Sequence, residues 1–323
     1  MLMKLNEKNK QNWQSLASVE MLTFRAETLN KIRTFFEKRH VLEVETPLLM
    51  PAPVTDPFIE TFNFKTMYGQ GYLQSSPEYA MKRLLASGFS DIYQICKAFR
   101  NEEISKNHNP EFSMLEWYRS NFDHFQLMDE LKDLILFLSP NTKIESYTYR
   151  QVFEKYLNIN PHTISLDQLQ NLVDKKIGQI IGLEKVTRYH ALELLFSYEI
   201  EPNLEKNTFI FIYHYTKEQS ALAKIIETEE GEVAARFECF FKGLELANGY
   251  YELCDEIEQK KRFKADLKTR KKEGKVQVPI DENLLLALKS GISDCSGVAL
   301  GIDRLIMALS DSESIENVLG FRW

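Results

Sequence analysis

Two strand-like segments that each turn back on themselves constrain this chain more than any other feature. In DIYQICKAFRNEE, from Asp91 to Glu103, period two places Ile95 and Phe99 on one face and Arg100 with Glu102 on the other. The return segment EFSMLEWYRS sets Phe112, Met114, Glu116 and Tyr118 together, opposite Leu115 and Trp117. Joined by the polar ISKNHNP, the two make an antiparallel hairpin, one face of which carries Arg, two acids, Tyr and Phe. Charges on a sheet face are either solvated or line a cleft, and the interleaved Phe112 and Tyr118 favour the cleft.

The second hairpin, RFECFFKGLELANGYYEL, turns most naturally at Lys242-Gly243. That turn sets Phe240 opposite Glu245 and makes Glu238 a diagonal neighbour of Glu245, close enough for both carboxylates to reach one cation. A hard divalent ion sharing its shell with phosphate oxygens suits such a pair. The bland alternative is two solvated glutamates paired to nearby lysines. Strict alternation from Glu245 would turn Asn248 and Glu252 to the opposite face. A bulge at Ala247-Asn248-Gly249 would return both to the side of Glu245, and glycine beside a polar residue suits a bulge.

A third segment, SGVALGIDRLIMALSDS, reads as a small-residue strand feeding a helix with Leu305, Ile306 and Leu309 inward. Arg304 stands in its first turn, where a two-pronged guanidinium can clamp a phosphate, and Gly297 and Gly301 permit close backbone approach. Elsewhere the period of Leu22 to Lys38 predicts an amphipathic helix, and VLEVETPLL predicts an edge strand stopped by Pro47. In SSPEYAMKRLLASG, Ser76 can cap a helix, Pro77 fits its first position and Gly88 can end it. Residues 1–20 read as a loose arm, and Phe125 to Ile200 as a mostly helical insertion without a chemical motif.

A chain of 323 residues, 44% hydrophobic, has ample material for a core. No apolar run approaches a bilayer span, and no apolar stretch follows the basic residues at the start. Four scattered cysteines, Cys96, Cys239, Cys254 and Cys295, fit reduced thiols in a cytoplasm. The net charge of −7 gives no general attraction to nucleic acid. The run KKRFKADLKTRKKEGK, Lys260 to Lys275, is either a solvated helix face or a dock for an acidic partner.

Together the helix and strand ending at Pro47, FRNEE…HNPEF, and GVALGIDR resemble the three signature motifs of class II aminoacyl-tRNA synthetases. SPEYAMKRL, FRNEEISKNHNPEFSMLEWY and LELANGYYEL are more closely similar to the catalytic domain of lysyl-tRNA synthetases. The resemblance implies an α+β fold, an antiparallel sheet flanked by helices, over residues 21–323, and a homodimer formed through motif 1. Here motif 1 begins almost at once, without the anticodon-binding β-barrel of those enzymes. That points to the freestanding paralogues that attach (R)-β-lysine to a lysine of translation elongation factor P.

What the resemblance implies for the site can be carried over residue by residue. Arg100 and Arg304 would hold ATP phosphates and carry catalysis. Asn101, Glu102, His108, Asn109, Leu246 and Gly301 would help bind the nucleotide, with Phe112 stacked on adenine. Glu238 and Glu245 would take Mg²⁺. Ser76, Pro77, Glu78, Glu116, Tyr118, Asn248, Glu252 and Ala299 would surround the amino acid, whose two ammonium groups suit several acids. Ser76 and Ala299 stand where the synthetases commonly have Ala and Gly, and His40 where the family often has Gly. The added hydroxyl and methyl reshape the pocket on the scale of one carbon, worth ~1–3 kcal/mol in discrimination. Two rivals stay open: a truncated lysyl-tRNA synthetase that charges tRNA, and a non-catalytic regulator of synthetase-like fold.

Overall fold

The computed structural model describes residues 13–178 and 186–323. Helix α1 (Val19–Glu37) is capped by Ser18, whose hydroxyl accepts from the Met21 N–H, and it buries Ile32, Phe35 and Phe36 at helical spacing. Of the arm expected over residues 1–20, residues 1–12 lie outside the described residues, whereas the rest is tied down. The Leu16 and Ala17 N–H groups donate to the carbonyls of Gly320 and Leu319, and α1 is already under way at Val19. After α1 the chain turns through His40 at φ 58°, the left-handed conformation for which a glycine would be the natural choice.

VLEVETPLL divides into two short strands rather than one. β1 (Leu42–Glu43) runs parallel to β5 (Ile92–Phe99) at an edge of the main sheet, and β2 (Leu49–Met50) joins β3 (Asn63–Thr66) and β4 (Gly69–Leu73) in a separate three-stranded sheet. Helix α2 (Glu78–Ala86) follows with Pro77 at its cap position, and Ser76 makes no capping bond, against the sequence expectation. The first hairpin is β5 (Ile92–Phe99) with β6 (Glu111–Ser120), antiparallel, Gln94 opposite Glu116 and Ala98 opposite Phe112.

Beyond lie α3 (His124–Leu138), β7 (Lys143–Thr148), α4 (Tyr149–Leu157), α5 (Leu166–Ile177), α6 (Arg188–Leu195) and β8 (Thr208–Thr216). The stretch read as a helical insertion is therefore two things. α3 packs into the main core, and β7 is a strand, parallel to β8 at the far edge of the main sheet. Only α4 to α6 form the extra layer. KIESYT is a short, half-exposed ladder whose partner lies about sixty residues on, so no local pattern announced it.

The remaining elements are β9 (Ile225–Thr228), β10 (Gly231–Phe241), β11 (Leu244–Tyr251), α7 (Glu256–Lys272), α8 (Glu282–Ser290), β12 (Cys295–Gly301) and α9 (Ile302–Ser310). The main sheet runs β1-β5-β6-β12-β11-β10-β8-β7, with β9 added to β10. Alternation divides its two faces. Leu115, Trp117, Phe211, Phe237, Val298 and Leu300 point into a core closed by α1, α3 and α9. On the other face, Ile210, Ile212 and Ala234 pack against α4 to α6, and Phe263 with Leu284, Leu285 and Leu288 makes a smaller cluster with Tyr79 of α2. Between these two lateral clusters the middle of the sheet stays uncovered by apolar packing.

Candidate active site

That uncovered middle is the floor of a cavity of about 840 Å³. The second hairpin turns at Lys242 and Gly243, both at positive φ, with Phe240 opposite Glu245 as the sequence predicts. The predicted bulge exists, but it falls between Glu245 and Ala247: Phe240 faces Glu245, while Cys239 already faces Ala247, leaving Leu246 extra. The regular strand resumes before Asn248. The consequence for facing is the expected one, because the extra residue brings Asn248 and Glu252 onto the side of Glu245.

Register then aligns residues far apart in sequence. Gln94, Glu116, Ala299, Asn248 and Glu238 occupy one row across β5, β6, β12, β11 and β10. Tyr118, Gly297, Tyr250 and Arg236 make the adjacent row. Gly297 is required there: a Cβ would lie 2.3 Å from the Tyr118 ring and 2.6 Å from Glu252 Oε1. Of the residues predicted for the site, all line the cavity except Pro77 and Asn101. Pro77 is buried under the start of α2, and Asn101 is exposed, its backbone N–H donating to the Glu60 carbonyl.

One end of the cavity is cationic. Arg304, in the first turn of α9, donates from Nη1 to the Glu245 carbonyl at 2.7 Å and from Nη2 to His108 Nε2 at 2.8 Å. His108 Nε2 accepts, so its proton sits on Nδ1, 2.8 Å from Ser105 Oγ, and burial followed by the Arg304 charge lowers its basicity. The Arg100 guanidinium lies 5.3 Å over the Phe112 ring, with its Nε buried and unpartnered. Asn109 braces the connector: its amide donates to the Glu111 carbonyl. Asp303 braces α9 from below, accepting from the Ser113 N–H at 2.7 Å and pairing with Arg25 at 2.7 Å.

The other end is acidic. Glu116 is buried and accepts from the Tyr118 hydroxyl at 2.8 Å, while its Oε2 has no partner. Burial first, and the Glu78 charge second, push its carboxyl up to about 8. Glu252 is also buried and pushed up, and Glu78 half-closes the same wall. The Ser75 hydroxyl, buried and unpartnered, lines this end too.

Glu238 and Glu245 lie on the wall between the two ends. Glu238 is already gripped by Arg236, by the Tyr215 hydroxyl at 2.7 Å and by Asn248. Burial raises it to about 8, Arg236 opposing and Glu245 reinforcing. Glu201 is likewise lifted to about 7 by burial and then by Glu245. Repulsion among these carboxylates marks a place short of positive charge. Among the described residues no cluster of three metal-ligating side chains could cage a metal alone. An ion shared with phosphate oxygens fits this donor set.

Sequence reasoning missed Arg236, Tyr215 and Lys82, and also Tyr189, Glu193 and Glu201 from the α6 side. Phe58 stacks on Tyr189 at 5.3 Å between ring centres, and both line the cavity. Arg236 alone had a signal, lying two residues before Glu238 on one strand face.

The family described as tRNA synthetases class II (D, K and N) matches residues 6–322. A protein of Pseudoalteromonas translucida (strain TAC 125), named elongation factor P--(R)-beta-lysine ligase, is 46% identical over 319 residues, covering 96% of this chain and 97% of its own. Proteins of the same name from Salmonella paratyphi A and Salmonella dublin are 45% and 46% identical over 317 residues, again 96% of this chain and 97% of theirs. With the signature segments meeting on one sheet face and similarity running nearly end to end, the chain belongs to the class II tRNA synthetases of the D, K and N group.

Proposed function

We propose that this chain is an ATP-dependent ligase that activates (R)-β-lysine as an adenylate and transfers it to a lysine side chain of elongation factor P. One observation carries the reading: a single cavity joins a two-arginine end to a three-carboxylate end, where Glu116 and Glu252 are buried and Glu78 partly so. The first suits a nucleoside triphosphate, the second a diamino acid. The name of the relatives supplies the acceptor.

In the first step a substrate carboxylate oxygen attacks the α-phosphorus, and the bond from phosphorus to the bridging oxygen breaks, releasing pyrophosphate. In the second, an acceptor amine attacks the acyl carbon, AMP leaves with the carbon–oxygen electron pair, and the amine loses a proton. Arg100 would meet charge at the α-phosphate and Arg304 at the γ-phosphate, with Phe112 under the adenine. Glu238 and Glu245 would hold Mg²⁺, which when bound neutralises phosphate charge. Glu78, Glu116 and Glu252 would bind and orient the two ammonium groups, and no protein nucleophile takes part. Catalysis then rests on positioning and on charges fixed in advance.

Four free cysteines, and no helix among the described residues long and apolar enough to cross a membrane, accord with work in the cytoplasm. Leu42 on β1 and Leu49 on β2, both half-exposed, offer apolar surface that a homodimer through motif 1 would cover. The activation step is tested by ATP–pyrophosphate exchange. (R)-β-lysine should drive it better than lysine; no exchange with any lysine isomer would leave the non-catalytic regulator in its place.

A further inference from the structure

Lys82 does not line the cavity, yet it is a charged side chain only 2% exposed, directly behind the acidic end. It projects from α2 one turn after Glu78, so the two share a helix face. Its Nζ lies 2.7 Å from Glu78 Oε1 and 2.6 Å from Glu252 Oε2. An ammonium withdrawn from water is tolerated only when paired. Burial draws Lys82 towards neutrality, but Glu252 and Glu78 more than offset it and hold it well above the usual lysine range. In return Lys82 pulls Glu252 down against its own burial.

The groups facing Lys82 come from four directions. Glu78 and Tyr79 share its helix, and Glu116 with Tyr118 comes from β6. Glu252 and Cys254 follow β11, and Cys295 begins β12. The charge count is simple. With all three carboxyls ionised, the state that a bound substrate bearing two ammonium groups favours, three carboxylates less one ammonium leave two negative charges, one for each substrate ammonium. Without Lys82 three would remain, and a carboxyl would keep its proton even with substrate bound.

We propose that Lys82 is a positioning residue of the amino-acid pocket, a built-in cation that aligns Glu78 with Glu252 and matches the pocket's charge to a diamino acid. This rests on the ligase reading above. Lys82 touches no reacting atom and acts through the two carboxylates.

The test compares wild type, Lys82→Met, and Lys82→Met combined with Glu78→Gln by ATP–pyrophosphate exchange and thermal unfolding, from about pH 6 to 9, the span of the raised carboxyls. Lys82→Met should raise KM for (R)-β-lysine roughly 10–100-fold at neutral pH, the scale on which supporting partners act at metal sites, and leave KM for ATP unchanged. The acid limb of the amino-acid KM should move to higher pH, because Glu252 then loses the cation that pulls its carboxyl down. The double variant removes the surplus negative charge, so its limb should return and its melting temperature recover, while its KM stays high.

A Lys82→Met protein with the wild-type KM and limb would overturn the inference. So would a double variant that is as unstable as the single one, since Lys82 would then serve packing alone. If wild type itself shows no exchange with any lysine isomer, the ligase reading fails and takes this inference with it; wild-type exchange with an unshifted variant removes this inference only.

Discussion

On the proposed function, Glu116 would tie substrate binding to pH. Its carboxyl, ordinarily near 4.5, is raised to about 8 by burial and by Glu78. Binding an ammonium requires the ionised form, so amino-acid affinity should climb as pH rises towards 8. Stability moves the other way. A folded-state value above the unfolded one gives a contribution that is complete below about 4.5 and is lost as pH rises through about 8. Glu116→Gln should flatten both trends, read as KM for the amino acid and as melting temperature across the same pH series. A KM profile in Glu116→Gln with the wild-type slope would show that another group titrates there.

At the scale of elements, the site is a consequence of strand register, and its weak points are where backbone and side chain approach most closely. Gly297 on β12 passes under the Tyr118 ring. Gly297→Ala should cost about 1–3 kcal/mol, the range for overpacking, and displace Tyr118 from Glu116. Thermal unfolding and the amino-acid KM should both worsen; a variant as stable as wild type would mean that β6 and β12 can separate freely. The two hairpins were readable from sequence because period two and a Lys-Gly turn are local signals. The bulge was foreseen from the conflict between Glu245 and Glu252, although its place, at Leu246, is set by pairing to β10 rather than by the nearby glycine. β7 was not readable, since its pattern acquires meaning only beside β8. Lys82 was hidden for a similar reason: in SPEYAMKRL it reads as a solvated helix residue until Glu252, 170 positions away, arrives beside it.

Across the whole molecule, α7 serves two sides. Gln259, Arg262, Phe263 and Thr269 face the cavity, and Arg270 is buried, donating to the carbonyls of Asp56, Ile59 and Val276. Lys264, Lys268, Lys271 and Lys272 instead form an exposed stripe at helical spacing. The basic run therefore divides into a structural set, the arginines with Lys275, which donates to the Pro57 carbonyl, and the surface lysines of the stripe. Reversing those four lysines to Glu should weaken acceptor modification severalfold, with the larger effect at low salt, and leave pyrophosphate exchange intact. Loss of both activities together would make the stripe part of the fold. The insertion also changes meaning at this scale, because its α6 supplies one wall of a cavity whose other walls come from the signature segments.

The acceptor is the central claim, and one measurement addresses it directly: incubation of the protein with ATP, labelled (R)-β-lysine or lysine, and both elongation factor P and tRNA together. Label should pass to a lysine of elongation factor P, more from (R)-β-lysine than from lysine, with none on tRNA. Label on tRNA alone would contradict the account and make the chain a synthetase in activity as well as in family.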